Sequence, residues 1–409
     1  MPRGKKKAVV DTTSMRDIPK TGRVSTMQNI FITKIQVNKV RHLTNVNIFL
    51  SETERQHLIL TGKNGSGKTS LLAAIRDFVI EHQYRTIENQ ETGQVLHELI
   101  RANQRRDKEL MGISVEFSGG ISNLFGATFA YLSAERSSML VPKAIEPIEE
   151  WGKTYISRNA SKDFLKYILI LYVQYLSAKD TGKSSTEIEQ YQAWFERFTQ
   201  ALRDIYGCQE LELKPDMKNL VFNVALPGRE PFGLHEMSDG YKAFLEILME
   251  LLMRMESGSG DVDYNQSAIV LIDEIETHLH VELQKRALPF LTQMFPCVQF
   301  IVATHSPFII TSLANAVVYD LEKHEILDNP SYYSYESVVE SFLDANMYSE
   351  VMRRQLNRYR ELCFKERTLE ENEEFLRTKT ELELMAPASK ELFIEFREIE
   401  QKRRGGKHD

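Results

Sequence analysis

Gly62-Lys63-Asn64-Gly65-Ser66-Gly67-Lys68-Thr69 decides how this chain folds. It satisfies GxxxxGK[ST] in full, the pattern of a loop that wraps phosphates. The context agrees. The apolar run from His57 to Leu60 reads as a short strand entering Gly62. Residues 70–81 read as a helix with Leu71, Leu72, Ile75, Phe78 and Val79 on one side. Glycines let such a loop turn its N–H groups inward, and the following helix adds the partial positive charge of its N-terminus. Gly62, Asn64, Gly65, Gly67, Lys68, Thr69 and Ser70 are therefore the expected nucleotide contacts. Lys68 is expected to reach the β- and γ-phosphates of ATP, and the Thr69 hydroxyl to bind Mg²⁺.

The partner of such a loop lies far downstream. Ile269-Val270-Leu271-Ile272-Asp273-Glu274 is an apolar strand ending in two acids. Open α/β sheets bind ligands at the carboxyl ends of their strands, where both acids fall. Asp273 is expected to hold Mg²⁺, mainly through water, and Glu274 to polarise the attacking water as general base. Val298 to Val302 is a second β-branched run, as expected for parallel strands buried on both faces.

Two further segments narrow the class. Met237-Ser238-Asp239-Gly240-Tyr241 opens an apolar helix over 240–255. Ala303-Thr304-His305-Ser306-Pro307 follows the second strand. This order of motifs resembles the ABC-class ATPases, in the branch that holds RecF, SMC and OLD-type proteins. The alternating pattern from Ile30 to Ile48, two strands joined near residues 39–45, is similar to the opening of that branch. The resemblance covers roughly residues 28–321 and implies an α/β fold, an ABC ATPase head built on a P-loop NTPase sheet. It also implies a homodimer or higher homo-oligomer formed through the heads. Ser238 and Gly240 would contact the γ-phosphate held by the other copy, whereas His305 would hydrogen-bond the γ-phosphate as a switch histidine.

Four other features have competing readings. Phe117-Ser118-Gly119-Gly120 imitates the transporter-type signature but sits between the runs 113–117 and 127–132, read as paired strands, and so reads as a hairpin turn. The place of the Mg²⁺-contacting glutamine is taken by Ser133-Ala134-Glu135-Arg136, whose charged pair either substitutes for it or forms a salt bridge. Arg41, in the first hairpin, is either a solvated loop residue or a contact to nucleotide or DNA. His278 and His280 invite a metal reading, but no third ligand accompanies them.

The rest of the chain bounds the function. Net charge is −7, yet residues 1–27 hold seven Lys/Arg against two Asp, a local +5 that leaves −12 elsewhere. That stretch reads as a disordered basic arm, able to reach nucleic acid or an acidic partner. Cys208, Cys297 and Cys363 form no CxxC, which argues against a disulfide scaffold, a zinc ribbon or a hook. The most apolar helical stretch, 164–176, is shorter than the roughly 20 residues a bilayer needs, so a cytoplasmic protein without membrane contact is expected. The expected organisation is the arm (1–27), an N-terminal lobe with the phosphate loop (28–140), a helical insert (141–210), a C-terminal lobe (211–325) and a helical C-terminal extension (326–409). The insert is too short for a long coiled coil.

OLD-type proteins carry a nuclease domain after the switch histidine, with an Asp-x-Asp. None occurs among the last 90 or so residues here, so the chain is not expected to be a nuclease itself. Glu276-Thr277-His278-Leu279-His280, Tyr333-Ser334-Tyr335-Glu336-Ser337 and a charged helical tail resemble the PtuA family, the ATPase subunits of Septu anti-phage systems and some retron effectors. That resemblance implies an HNH nuclease subunit bound by residues 334–402, with DNA, RNA or a retron ribonucleoprotein as further partners. The function it implies is regulation of that nuclease in anti-phage defence. A RecF-like repair ATPase and a nucleotide-gated scaffold with negligible turnover are the alternatives.

Overall fold

The computed structural model describes residues 29–88, 112–124, 127–134, 164–181, 185–255, 265–339, 349–385 and 390–405. The basic arm, Glu135, Arg136 and the start of the insert lie outside them.

Alternating apolar residues build the first sheet. Strands β1 (Ile32–Val40) and β2 (Leu43–Phe49) pair antiparallel, with Val37 opposite Val46 and Ile35 opposite Ile48. Two residues, Arg41 and His42, make the turn, and Arg41 takes the left-handed φ (52°) that so tight a reversal demands. The continuous apolar strand β3 (His57–Thr61) then leads through the phosphate loop into helix α1 (Lys68–Glu88). The helix begins at Lys68, two residues earlier than its apolar periodicity indicates, because the last loop residues supply its first turn.

Strand β4 (Ile113–Phe117) pairs with β1, giving the order β2-β1-β4. Strand β5 (Thr128–Leu132) does not pair with β4, which corrects the hairpin expected there. The turn at Ser118–Gly119 and a short 3₁₀ turn (Ile121–Leu124) carry the chain to a different sheet. Ser118 fixes the crossover: its hydroxyl donates to Asn29 O (2.8 Å) and accepts from Phe31 N (3.0 Å).

Helices α2 (Phe164–Asp180) and α3 (Ser185–Tyr206) pack through Phe164, Trp194 and Phe198, with ring centroids 5.2–6.3 Å apart. Strands β6 (Glu212–Asp216), β7 (Val221–Ala225) and β8 (Phe232–Gly233) form a small antiparallel sheet. Helix α4 (Asp239–Met255) follows and is apolar and buried on nearly all sides. Its buried Glu250 and Arg254 pair at 2.5 Å, and Arg254 also donates to Phe129 O of β5 (3.4 Å).

Strand β9 (Ala268–Ile272), helix α5 (Val281–Met294), and strands β10 (Val298–Ala303), β11 (Ala316–Asp320) and β12 (Glu325–Asp328) complete the main sheet. Its order is β12-β11-β3-β10-β9-β5, parallel throughout except for β12. Strands β3, β9, β10 and β11 are buried along their full length, as crossover-connected parallel strands must be. The order places the strand before the phosphate loop beside β10, with β9 next in line. Gln299, fully buried on β10, joins the two sheets: it accepts from Ile32 N (2.7 Å) and donates to Ile32 O (2.9 Å) and Gln56 O (2.8 Å).

The chain divides into two compact units. The first runs to Thr304 and takes back Asn315–Asp328. The second comprises His305–Ala314 and Asn329–Asp409. Its helices α6 (Glu350–Cys363), α7 (Leu369–Met385) and α8 (Lys390–Gly405) enclose their own core of Leu356, Tyr359, Phe375, Leu382, Leu392 and Phe396. The buried Tyr359 hydroxyl donates to Glu400.

Candidate functional site

The phosphate loop takes a conformation that only its composition permits. Gly62, Gly65 and Gly67 have φ of 129°, 85° and 103°. At Gly67 a side chain is excluded twice over. Its φ is left-handed, and a Cβ would lie 2.8 Å from the Leu43 side chain, so the β1–β2 hairpin closes down on the loop. Ser66 N donates to Lys63 O (3.0 Å) and Leu71 N to Gly67 O (2.8 Å), which joins loop to helix. On the other side, Lys63 pairs with Glu322 after β11 (2.8 Å).

Lys68 is buried, and its ammonium donates to Gly62 O (2.7 Å) and Lys63 O (3.1 Å). Burial pushes its pKa below the ordinary lysine value, while Glu274, Glu276, Asp273 and Asp320, in decreasing order, pull it back up. The loop lysine and the acids from the distant strand therefore share one electrostatic environment. Thr69 is exposed on the first turn of α1, and so is Asn64 in the loop. Ser70 accepts from Nη1 of the exposed Arg41 at 3.3 Å, which sets this loop arginine beside the first turn of α1.

Asp273 is 2% exposed at the end of β9 and donates its N–H to Leu132 O (2.9 Å) on β5. That pairing sets Ser133 and Ala134, the described half of the segment that stands in the glutamine's place, beside the end of β9. Glu274 has φ of 45°, left-handed for a residue with a side chain. It accepts from Thr277 Oγ1 (3.4 Å), and Glu276 accepts from Thr304 Oγ1 (2.7 Å). Tyr131 on β5 was not singled out by the sequence. Burial and then Asp273 push its phenol up, and the Arg76 guanidinium lies 4.9 Å from its ring. Its period-2 position on a strand beside the acids is the signal that could have marked it.

Ser238 is exposed directly before α4, and its carbonyl accepts from Lys242 N (3.0 Å). Gly240 is buried two residues further on. A Cβ there would lie 2.8 Å from His278 O and 3.4 Å from the His280 ring, so α4 and the 278–280 turn touch at a glycine. The structure thus brings the 278–280 turn to the Ser238 helix, and His280 packs there. Among the described residues no group of three or more His, Cys, Asp or Glu is placed to hold a metal. His305 directly follows Thr304 and belongs to the second unit. Ser306 caps the helical turn Pro307–Ile310, accepting from Phe308 N (3.2 Å) and Ile309 N (3.3 Å), and Pro307 starts it.

The oxygen donors at this site are the exposed Thr69 hydroxyl and the buried Asp273 carboxylate. Hard oxygen ligands, few in number, suit Mg²⁺, which keeps several waters and binds through one or two protein groups plus phosphate.

Residues 133–311 match the family described as "AAA domain, putative AbiEii toxin, Type IV TA system", a span that holds Ser238, Asp273, Glu274 and His305 and starts after the phosphate loop. The chain is 34% identical over 92 residues to Septu protein PtuA of Bacillus mycoides (strain KBAB4), covering 22% of this chain and 13% of that one. It is 33% identical over 84 residues to the retron Vc95 probable ATPase of Vibrio cholerae serotype O1 biovar El Tor, covering 20% and 16%. It is 26% identical over 146 residues to the retron Ec83 probable ATPase of Escherichia coli, covering 34% and 27%. The matched region thus spans about a quarter or less of these relatives' lengths. Among solved structures, an SMC head bound to the C-terminal winged-helix domain of ScpA is similar at a TM-score of 0.37 and 16% identity, covering 71% of this chain and 93% of that one. The SMC head domain of Thermotoga maritima is similar at 0.37 and 14%, covering 71% and 94%.

Proposed function

We propose that this protein is a Mg²⁺-dependent ATPase of the Septu and retron type that acts in the cytoplasm. The observation that supports it most is the setting of Lys68, buried in its phosphate loop and within electrostatic reach of Asp273, Glu274 and Glu276. Lys68 would leave its carbonyl partners for the β- and γ-phosphates. Thr69 and Asp273 would hold Mg²⁺, which when bound neutralises charge on the phosphates. Glu274 would orient a water toward the γ-phosphorus and take its proton. Ser238 and Gly240, at the positive end of α4, would meet a γ-phosphate held by a second copy. His305 would act as a switch histidine that hydrogen-bonds the γ-phosphate.

The direct test is ATP hydrolysis by the purified chain with Mg²⁺ and with chelator. Turnover that needs Mg²⁺ and vanishes in Lys68→Ala is expected. A wild-type protein that binds ATP but does not turn it over would instead be a nucleotide-gated scaffold.

We also propose that the second unit docks a nuclease subunit of the HNH type. Leu369, Leu376 and Leu384 are 87%, 62% and 76% exposed and share one face of α7, which supports a docking role. Changing all three to serine should leave ATP turnover intact and abolish co-purification with a co-expressed nuclease subunit. Retained co-purification would rule this surface out. DNA-stimulated turnover without any nuclease partner would favour the RecF-like repair reading.

A further inference from the structure

The turn that carries Glu274 is held in an unfavourable shape. A side-chain-bearing residue at φ 45° costs about 1–3 kcal/mol and persists only where its neighbours over-determine it. Those neighbours can be named. On one side, Asp273 N donates to Leu132 O (2.9 Å). On the other, Ile275, fully buried, donates its N–H to Ala303 O (3.4 Å), and Thr277 N closes the turn on Glu274 O (3.0 Å). The shortest of these links is a side-chain one. Thr304 Oγ1 donates to Glu276 Oε2 at 2.7 Å, from a threonine that is fully buried and whose own N–H is fixed to Leu60 O (3.0 Å). Leu60 lies two residues before Gly62, at the end of β3.

This chain of bonds has a direction. It starts at the strand that launches the phosphate loop, passes through the end of β10, and ends on the residue two positions beyond Glu274. A hydrogen bond to a carboxylate is shorter and stronger than one between neutral groups. It therefore fixes the distance between the phosphate loop and the Glu274 turn more firmly than the 3.4 Å backbone contact beside it.

We propose that Glu276, through Thr304, is a positioning residue for Glu274: it holds the left-handed turn that aims the Glu274 carboxylate at the phosphate site. This rests on Glu274 being the general base of an ATPase. Loss of the clamp lets the turn relax, and misplacing a catalytic group by about 1 Å costs up to about a hundredfold in rate.

Thr304→Val keeps the shape and removes the donor, and Glu276→Ala removes the acceptor. Each should lower kcat by about tenfold or more with the KM for ATP within about twofold of wild type. Thr304→Ser, which keeps the hydroxyl, should retain the wild-type rate. Placed in a Glu274→Gln background, neither change should lower the residual rate further, because the group they position is already gone; a general structural loss would add. Wild-type kcat in both variants, an additive loss in the Glu274→Gln background, or failure of both variants to fold overturns the proposal. Absence of turnover in the wild type would instead overturn the ATPase reading beneath it.

Discussion

At the scale of single residues, the site concentrates its constraints in positions that look interchangeable in sequence. Glu274 and Glu276 are both acids in one turn, yet one has a left-handed backbone and the other accepts from a buried threonine. Glu274→Gln should cut ATP turnover by about a hundredfold or more while nucleotide binding persists, since a positioned base contributes about 10²–10⁴. Single-turnover hydrolysis beside equilibrium nucleotide binding measures this, and an unmodified rate removes Glu274 from the base role. Gly240 is constrained by packing. In Gly240→Ala the new methyl group would meet His278 O at 2.8 Å, and the 278–280 turn must move. The expected cost is about 1–3 kcal/mol in unfolding free energy, with slowed turnover. Both glycine motifs were legible as chemistry. That Gly240 is required by a neighbouring carbonyl was not, because the neighbour is 38 residues away in the chain.

Among elements, the strands show where sequence pattern stops. The runs 113–117 and 127–132 were legible as strands, but neither says which strand is next in space. The two were expected to pair, whereas β4 joins β1 and β5 joins β9. Strands β11 and β12 went unread because their short runs lie among loop-like residues. The joint between the sheets depends on Gln299, which no pattern marks. Gln299→Leu strands the Ile32 N–H and C=O without their side-chain partners and should cost about 2–4 kcal/mol in urea unfolding. A second buried polar group reports on pH. His57, on β3, accepts from Phe300 N (3.1 Å) and is held neutral, its pKa pushed down to about 4 from 6.5 by burial and then by Arg55. A base depressed in the folded state stabilises above its unfolded value, and that stability fades as pH falls from 6.5 toward 4. The loss should approach about 3 kcal/mol by pH 4. Denaturation curves at pH 7 and pH 4.5 should show it, and His57→Asn should flatten the difference.

For the whole molecule, an ATPase whose Ser238 acts across copies should associate when nucleotide is trapped. Glu274→Gln with ATP and Mg²⁺ is expected to elute as a larger species than the nucleotide-free protein, and adding Ser238→Arg should return it to the smaller one. Light scattering on the eluting peak gives the masses; a single size under all conditions would count against head-to-head association. The motifs alone carry the proposed nucleotide chemistry. Phosphate loops and strand-end carboxylates act through backbone geometry and charge that a short local stretch encodes, so the roles proposed for Lys68, Thr69, Asp273 and Glu274 rest on local sequence. The α/β class was implied by the family resemblance, and the apolar runs of β9 and β10 agree with it, since parallel strands are buried on both faces. Only the tertiary structure decided what holds those residues in place. Lys68 lies within electrostatic reach of Asp273 across some 200 residues of chain, and Thr304 grips Glu276, because the strand order β3-β10-β9 puts their ends side by side; the β1–β2 hairpin brings Arg41 to Ser70. Strand order is set by packing and crossover geometry over the whole sheet, a sum of long-range contacts that no local pattern contains.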